Sequence, residues 1–310
     1  MARILVTGAA GFIGSHTVDQ LLAAGHRVCG LDNFRTGRKE NLAKALTCAQ
    51  FELHEADVLE VNQFHRLLKG KRVDAIIHLA ALVSVPESIS NPELNDRLNF
   101  QATRVVAEGA SLHGVARIVF ASSAAVYGDP QVPAIAEDTP KHPLSPYGAA
   151  KLASEEFLRD FGPERGMLVR CQRYFNVYGP RQDPSSSYAG VISLFLSHLQ
   201  RRTSPTIFGN GEQTRDFVSV HDVARANVLA ATSNEIASGT VNICTGRAVS
   251  VNKLWNLLAT HFRDAPSPRY APPRSGDILH SCGMPDAARK ELNFQAQIEL
   301  SSGLAEMAPS

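Results

Sequence analysis

A tyrosine and a lysine in the middle of the chain have the spacing of a proton-transfer pair. Residues 145–151 read Ser-Pro-Tyr-Gly-Ala-Ala-Lys, in which Ser145 is suited to cap a helix and Pro146 to occupy its first position. Tyr147 and Lys151 would then lie one turn apart on the same face. A phenol with a pKa of about 10 is a weak base at neutral pH, but a nearby ammonium group favours the phenolate. Tyr147 is therefore predicted to take a proton from a substrate hydroxyl.

Three glycines near the N-terminus are spaced for binding a dinucleotide. Residues 3–14 read Arg-Ile-Leu-Val-Thr-Gly-Ala-Ala-Gly-Phe-Ile-Gly, with a predicted strand before the first glycine and a predicted helix after the last. Gly8 permits a tight turn, Gly11 lets the backbone approach a pyrophosphate, and Gly14 lets the helix pack on the strand. Free N–H groups at the helix N-terminus would hold the phosphates. The predicted contacts in this turn are Gly8, Gly11, Phe12, Ile13 and Gly14.

An acidic residue, Asp32, stands eighteen residues past Gly14, at the end of the second predicted strand. Its carboxylate can accept both hydroxyls of an adenosine ribose and would repel a 2′-phosphate. The cofactor is therefore predicted to be NAD rather than NADP, although Arg35 and Arg38 nearby weaken this preference. A plain turn between strand and helix is the alternative interpretation of the glycines, and the acid at this distance disfavours it.

Short apolar strands alternate with helices around these residues. Such alternation predicts an α/β fold with a Rossmann-type, doubly wound parallel sheet. The strands are predicted at Arg3–Thr7, Arg27–Leu31, Ala75–Leu79 and Arg117–Ala121, and the helices at Gly14–Ala24 and Asn99–Leu112.

The character of the sequence changes after about residue 175, where turn signals become dense and a proline-rich stretch covers residues 266–273. Residues 1–175 are predicted to form the NAD-binding domain, and residues 176–310 a smaller C-terminal α/β domain that binds the substrate. Asp216–Val220 and Thr240–Cys244 again have strand patterns, so residues 216–245 are predicted to return to the first domain.

Composition excludes several classes of protein. The chain has 310 residues, 44% of them hydrophobic, and a net charge of +1 from 31 basic and 30 acidic residues. This balance predicts neither a nucleic-acid partner nor a membrane surface. The five cysteines form no CxxC pair and no HExxH motif occurs, so we expect no metal site and a reducing, cytoplasmic setting. No apolar run reaches the ~20 residues that span a bilayer, and no signal peptide is predicted.

The GxxGxxG spacing of the glycines, together with the Tyr-Lys pair, resembles the extended short-chain dehydrogenase/reductase family, whose members modify sugar nucleotides. Residues 56–58, Ala-Asp-Val, resemble the family's adenine-contacting segment, and residues 78–81, His-Leu-Ala-Ala, resemble the turn beneath its cofactor. Beyond the glycine turn and Asp32, the resemblance implies that the cofactor contacts are Asn33, Asp57, Val58, Leu79, Ala80, Ala81, Asn99, Tyr147, Lys151 and Phe175.

The same resemblance identifies a third catalytic residue. Residues 120–128 read Phe-Ala-Ser-Ser-Ala-Ala-Val-Tyr-Gly after a predicted strand. In the family, the Ser or Thr four positions before the tyrosine of this segment, here Tyr127, hydrogen-bonds the reacting hydroxyl. In this chain that residue is Ser123. The alternative is an exposed helix on which Lys151 pairs with Glu155 four positions on, as surface ion pairs commonly do.

Two alanines indicate which reaction of the family to expect. The family's 4,6-dehydratases and decarboxylases carry acidic residues just after the Ser or Thr, whereas Ala124 and Ala125 stand here and cannot transfer a proton. The chain then resembles the UDP-galactose/UDP-glucose 4-epimerase group. That resemblance implies oxidation at C4, rotation of the 4-keto sugar and return of the hydride to its other face.

Segments in the second half resemble the substrate site of that group. Residues 174–180 resemble the segment whose Asn holds a substrate phosphate. Residues 208–217 resemble the loop whose arginine, here Arg215, binds the pyrophosphate. Residues 274–277 resemble a nucleotide-binding segment in which an arginine binds phosphate and an aspartate binds the uridine ribose. In related epimerases, a small residue seven positions after that arginine admits N-acetyl groups, so the resemblance implies UDP-GlcNAc and UDP-GalNAc as additional substrates. The implied substrate contacts are Ser84, Ser123, Asn176, Arg215, Arg274, Asp277 and Ser281.

Three alternatives stay open. A UDP-glucuronate 4-epimerase would need a cation near C5 that the sequence does not place, and a dehydratase or decarboxylase would need acids after Ser123. A non-catalytic NAD-binding regulator often lacks the tyrosine or the lysine, and this chain keeps both. The family is commonly homodimeric through two helices, here about Glu93–His113 and Gly148–Phe161, so a homodimer is expected.

Overall fold

A computed structural model of the chain describes residues 1–183, 190–273 and 278–308. Its strands in chain order are β1 (Arg3–Thr7), β2 (Arg27–Asp32), β3 (Phe51–Glu55), β4 (Ala75–His78), β5 (Arg117–Ser123), β6 (Leu168–Tyr174), β7 (Asn176–Tyr178), β8 (Thr206–Phe208), β9 (Thr214–Ser219), β10 (Gly239–Ile243), β11 (Ala248–Ser250) and β12 (Arg269–Ala271).

The helices follow the same order. They are α1 (Phe12–Ala23), α2 (Val61–Leu68), α3 (Val85–Ser90), α4 (Pro92–Asp96), α5 (Ala102–Leu112), α6 (Pro146–Glu164), α7 (Val191–Gln200), α8 (Val220–Thr232), α9 (Val251–Ala259), α10 (Asp286–Leu292) and α11 (Leu300–Met307). The predicted helix Asn99–Leu112 is confirmed from Ala102 onward, and a π-helical turn at Arg97–Gln101 joins it to α4.

Within the described residues, seven parallel strands form one sheet in the order β10-β6-β5-β4-β1-β2-β3. Successive residues of β1 point to opposite faces, as the period of a strand requires. Ile4 and Val6 pack in the cluster that includes residues of α1 and α8, whereas Leu5 packs in the cluster of α2, α5 and α6. Helices thus cover both faces, and the predicted doubly wound α/β fold is confirmed.

The segments after residue 175 divide between this sheet and a second region. Thr240–Cys244 returns to the large sheet as predicted, because β10 pairs with β6. The strand predicted at Asp216–Val220 is present as β9, but it pairs with β7 and β11 in a separate three-stranded sheet. Helices α7 and α9 pack beside it, with the rings of Phe195 and Trp255 edge to face at 5.1 Å. The division into two domains at about residue 175 stays a prediction.

Helix α6 positions the candidate catalytic pair at the carboxyl end of the large sheet. It begins at Pro146, and the Ser145 hydroxyl accepts the backbone N–H of Gly148 at 3.2 Å, so the predicted cap is confirmed. Neighbouring elements hold its first turn, since the Asn95 side chain donates to the carbonyl of Pro146 at 3.0 Å. In the described part of the chain, no helix is long and apolar enough to cross a membrane.

Candidate active site

The structure brings Tyr147, Lys151 and Ser123 together where α6 meets the end of β5. Lys151 is buried, and its ammonium donates to the carbonyl oxygen of Ala121 at 2.8 Å. The same nitrogen lies 5.9 Å from the centroid of the Tyr147 ring. Ser123 is the last residue of β5, and its side chain hydrogen-bonds the Tyr147 phenol. Helix and strand therefore present the predicted phenol, hydroxyl and ammonium on one side of the sheet.

Burial controls the charges of this group. It raises the pKa of the Tyr147 phenol, and the hydrogen bond with Ser123 offsets only part of the effect. It also lowers the pKa of the Lys151 ammonium to about 7, against an opposing effect of Glu155. We expected the lysine to lower the pKa of the phenol. The net shift of the Tyr147 pKa is upward, because desolvation penalises the phenolate more than the neighbouring groups favour it.

The alternative of an exposed helix is wrong. Lys151 and Glu155 are 3% and 5% exposed, and both face the sheet rather than solvent. Glu155 bonds with Arg173 of β6, whose Nη2 lies 2.6 Å from one carboxylate oxygen. No sequence motif indicates a role for Arg173. The four-residue spacing from Lys151 to Glu155 was the available signal, but spacing alone does not distinguish a buried helix face from an exposed one.

The glycine turn fits the pyrophosphate of a dinucleotide. Gly8 has φ of +70°, and a Cβ there would lie 2.8 Å from the backbone nitrogen of Ala80. A Cβ on Gly14 would lie 1.9 Å from the carbonyl oxygen of Gly8. Helix α1 begins at Phe12, and no side chain caps its N-terminus. Its first N–H groups, including that of Ile13, thus border a cradle lined by backbone, as anion binding requires.

Asp32 ends β2 beside this turn and is 6% exposed. One carboxylate oxygen accepts the N–H of Ala10 and the other that of Phe34, each at 2.8 Å. Burial raises the pKa of this carboxyl despite those two bonds. The Asn33 amide donates to Asp57 at 3.0 Å, so the structure also brings these two predicted cofactor contacts together. Val58 is buried next to Asp57.

The two arginines that weakened the preference for NAD have carboxylate partners. Arg35 pairs with Glu87 of α3 at 2.6 Å, and Arg38 pairs with Asp183 at 2.5 Å. Each guanidinium group therefore has a carboxylate partner other than Asp32. This arrangement removes the sequence-based reason to expect a 2′-phosphate site.

The turn after β4 is held from two sides. The backbone N–H groups of Leu79 and Ala80 lie 3.2 Å from the Thr7 hydroxyl, to which they donate. Asn99 is 2% exposed, and its amide both donates to the carbonyl and accepts from the N–H of Leu82. These bonds make Asn99 a residue that orders the turn. Ala81 is half-buried in the same turn.

The predicted substrate contacts are distributed over several elements. Phe175 is buried and Asn176 is exposed at the start of β7. Arg215 is half-buried on β9, and Ser84 is buried and caps α3 by accepting the Glu87 N–H at 2.8 Å. Arg274 and Asp277 lie outside the described residues.

Ser281 lies in a segment that joins two parts of the site. Its N–H donates to the carbonyl of Thr214, the neighbour of Arg215, at 3.2 Å. The backbone carbonyl of the next residue, Cys282, accepts the N–H of Ile135 at 2.8 Å. Ile135 belongs to the loop that follows Ser123 and the 124–126 turn. Ser281 is therefore close in the fold both to β9 and to the loop that connects β5 with α6.

Asp216 orders this region, although its sequence motif does not indicate such a role. It is fully buried, and its carboxylate accepts the N–H groups of Thr245 and Gly246, each at 2.9 Å, and that of Gly283 at 3.2 Å. Its position directly after Arg215 was the available signal. The three amides that it binds come from distant parts of the chain, which the local sequence does not indicate.

One group of side chains in the described residues has metal-ligand chemistry. The ligand atoms of Cys29, Glu52 and His54 lie within 4.8 Å of one another on β2 and β3. Lys71 donates to Glu52 at 2.7 Å, and burial raises the pKa of the Cys29 thiol to about 12. A resident ammonium and a thiol that stays protonated both disfavour a cation.

Comparison with known proteins identifies the class. Residues 4–244 match the model of the NAD dependent epimerase/dehydratase family. The UDP-glucose 4-epimerase of Mycolicibacterium smegmatis is 40% identical over 305 residues, which cover 98% of this chain and 96% of that protein. The chain belongs to the NAD dependent epimerase/dehydratase family.

Two solved structures resemble the whole chain. The UDP-glucose 4-epimerase of Thermotoga maritima, solved with UDP-glucose, has a TM-score of 0.92 and 37% identity and covers 99% of this chain and 97% of its own. The UDP-N-acetylglucosamine 4-epimerase of Methanobrevibacter ruminantium, solved with UDP-N-acetylmuramic acid, has a TM-score of 0.92, 34% identity and the same coverage. Within the family, the similarity is thus to 4-epimerases of UDP-sugars.

Proposed function

We propose that this protein is an NAD-dependent 4-epimerase of UDP-hexoses that interconverts UDP-glucose and UDP-galactose. The observation that carries the proposal is the assembly of Ser123, Tyr147 and Lys151 at one end of the sheet, with Ala124 and Ala125 in place of acids. The similarity to UDP-glucose 4-epimerases over nearly the whole chain supports the same reaction.

In the proposed mechanism, the Tyr147 phenolate takes the proton of the C4 hydroxyl while the C4–H bond breaks. Ser123, already hydrogen-bonded to the phenol, holds the reacting oxygen. The Lys151 ammonium, 5.9 Å from the centroid of the Tyr147 ring, stabilises the phenolate. NAD, held by the glycine turn and Asp32, would supply a reversible hydride acceptor for the C4 hydrogen, and its positive ring would favour the phenolate. Tyr147 finally returns the proton to the oxygen on the inverted carbon.

Inversion requires the sugar to turn while the nucleotide stays fixed. We assign the fixed contacts to the diphosphate, with Arg215 and Asn176 as ligands, because guanidinium and amide groups bond phosphate oxygens well. Gly8, Gly11, Gly14 and Asp32 are assigned to NAD. Since each cycle takes up and returns one hydride, the reaction needs no second redox substrate.

Ser281 is proposed to set the size of the sugar pocket. Its segment lies between β9 and the loop that follows Ser123, which is where a substituent on the sugar would reach. A serine there leaves room for an N-acetyl group, and the similarity to a UDP-N-acetylglucosamine 4-epimerase supports this reading. We therefore include UDP-GlcNAc and UDP-GalNAc among the proposed substrates.

Product analysis tests the proposed function. Purified protein is incubated in parallel with UDP-galactose, UDP-GalNAc and UDP-glucuronate, and the nucleotide sugars are separated and identified. The proposal expects the C4 epimers of the first two. Conversion of UDP-glucuronate alone would support the rival 4-epimerase, and a dehydrated or decarboxylated product would overturn the assignment. No turnover of any substrate would favour a binding protein.

Assembly and location complete the proposal. We propose a homodimer through residues 93–113 and 148–161. On these helices Phe157 packs against Phe100 and Phe161, with ring centroids 6.2 Å and 5.0 Å apart, and Leu112 is 67% exposed. The five cysteines are free thiols, which fits the proposed cytoplasmic location.

A further inference from the structure

A buried network of charged and polar side chains lies behind Lys151. The Glu155 carboxylate, one turn further along α6, accepts hydrogen bonds from the Ser122 hydroxyl and from the Arg173 guanidinium. Ser122 immediately precedes Ser123 on β5, and Arg173 lies on β6. The carboxylate is thus tied to both strands that support the candidate catalytic residues.

Arg173 is anchored on its other side as well. Its Nη1 donates to the Tyr127 hydroxyl at 2.8 Å and to the carbonyl of Glu137 at 2.9 Å. Tyr127 in turn donates to Asn242 of β10 at 2.7 Å. Since Arg173 and Tyr127 are 4% and 1% exposed, the guanidinium has little freedom to leave Glu155. The position of the carboxylate is therefore fixed by three neighbouring strands.

A buried ion pair is weak evidence for stability, because desolvation of the charges offsets much of their attraction. The location of this pair suggests a second use. Lys151 is 3% exposed, and burial alone would favour its neutral form. Glu155 acts in the opposite sense and raises the pKa of Lys151. A neutral amine could not stabilise a phenolate at Tyr147.

Other charges near this helix do not replace Glu155. His78 is neutral because burial lowers its pKa to about 3, and Glu87 of α3 pairs with Arg35. The charged residues of α4, of the π-helical turn and of α5 are exposed, and Arg117 of β5 bonds the carbonyls of Ala230 and Ser233. The remaining titratable side chains close to Lys151 or Glu155 are Lys141, Tyr147, Cys171 and Arg173, and Tyr174 lies near Tyr147.

We propose that Glu155, held by Arg173 and Ser122, is a positioning residue that keeps the Lys151 ammonium charged behind Tyr147. It touches neither substrate nor cofactor and acts through the lysine. The proposal rests on the proposed 4-epimerase activity for its kinetic readout, because loss of the Lys151 proton should appear as the alkaline limb of the pH profile of kcat.

The first test compares Glu155→Gln with the wild type. Glutamine keeps the size and removes the charge, so we expect the alkaline limb to move to lower pH by about one unit. Glu155→Asp keeps the charge and should move the limb less. An alkaline limb at the wild-type pH in Glu155→Gln would overturn the proposal.

Asp222→Asn is the matched control. Asp222 is likewise buried, pairs with Arg225 at 2.8 Å and accepts the N–H groups of Gln297 and Ile298, but it lies on α8 away from the triad. A merely structural role predicts that both variants lose stability and that neither moves the limb. Should Glu155→Gln fail to fold, the double variant Glu155→Gln/Arg173→Met removes both buried charges and is judged by the same shift.

Thermal unfolding provides a readout that needs no turnover. The folded pKa of Lys151 lies below its unfolded value, so the folded state binds fewer protons between them and stability rises with pH over that window. Without Glu155 the folded pKa of Lys151 falls further, so this window extends to lower pH. Glu155 stabilises the folded protein through Lys151 only where the lysine is charged, at pH 6 but not at pH 10. The loss of Tm in Glu155→Gln should therefore be larger at pH 6 than at pH 10. A loss independent of pH would contradict the proposal. Absence of wild-type turnover with every UDP-sugar would instead overturn the proposed function and leave this readout intact.

Discussion

The Lys151 ammonium donates a 2.8 Å hydrogen bond to the backbone carbonyl oxygen of Ala121, two residues before Ser123. The lysine of a helix is thereby attached to the strand that carries the serine. In the same strand, Ser123 pairs with Tyr174 of β6 in parallel register. The candidate triad is therefore fixed by regular elements of the fold, and changes to that framework should have measurable consequences.

Gly8→Ala should remove NAD binding. The new Cβ would lie 2.8 Å from the backbone nitrogen of Ala80, in a backbone conformation with φ of +70°. We expect the purified variant to retain no NAD and to unfold at lower temperature than the wild type, as measured by cofactor release and calorimetry.

Gly25→Ala is the control for backbone strain. Gly25 has a similar φ of +79°, but no described residue outside its own turn lies within 4 Å of its Cβ position. This variant should lose about 1 kcal/mol of unfolding free energy and keep its NAD. Equal losses of NAD and of stability in the two variants would show that backbone strain, and not the crowding at the glycine turn, causes the effects of Gly8→Ala.

NAD should bind at least about tenfold more tightly than NADP, a difference of ~1.4 kcal/mol. Asp32 is placed to repel a 2′-phosphate, while Arg35 and Arg38 already pair with Glu87 and Asp183. Arg35→Ala and Arg38→Ala should therefore leave the ratio of the two affinities unchanged in equilibrium binding. A selective loss of NADP affinity in either variant would mean that the arginines read the phosphate.

Asp216→Asn should destabilise the substrate region. One carboxylate oxygen accepts the N–H and the hydroxyl of Thr245, and the other accepts the N–H groups of Gly246 and Gly283. Asparagine replaces one of these oxygens with an NH2 group, which cannot accept the two bonds made there. We expect a loss of about 3 kcal/mol in unfolding free energy, together with a higher KM for the UDP-sugar. Denaturant unfolding and steady-state kinetics measure the two effects, and a variant with wild-type stability would refute this role.

Ser281→Tyr should separate the two classes of substrate. The larger side chain would fill the space proposed for the N-acetyl group, so turnover of UDP-GalNAc should fall at least about tenfold while turnover of UDP-galactose persists. Ser281→Ala keeps the pocket open and should retain both activities. Unchanged turnover of UDP-GalNAc in the tyrosine variant would exclude Ser281 from the pocket.

Local patterns were sufficient for the elements that hold the cofactor turn and the triad. The strand at Arg3–Thr7 and the cap at Ser145 are confirmed because each depends on neighbouring residues in the sequence. The sheet to which β9 belongs could not be predicted, because a strand pattern records alternation of side chains and not the partner strand. Its partners β7 and β11 are distant in sequence.

The charges around the site were also beyond local reasoning. The direction of the Tyr147 pKa depends on how deeply the phenol is buried, which becomes known only when α3 and α6 are packed. Likewise, the partners of Arg35, Arg38 and Glu155 lie between 18 and 145 residues away. The roles of these side chains depend on partners that are distant in sequence. Residue type and local spacing do not indicate which partner each side chain has.

Tyr147→Phe is the most direct test of the central claim, that the Tyr147 phenol is the catalytic base. The substitution removes one hydroxyl and keeps the ring, so the fold and the bound NAD should be preserved. Turnover of UDP-galactose, followed by product analysis, should fall by about a thousandfold, while the amount of NAD released on denaturation stays at the wild-type level. Turnover close to that of the wild type would contradict the account.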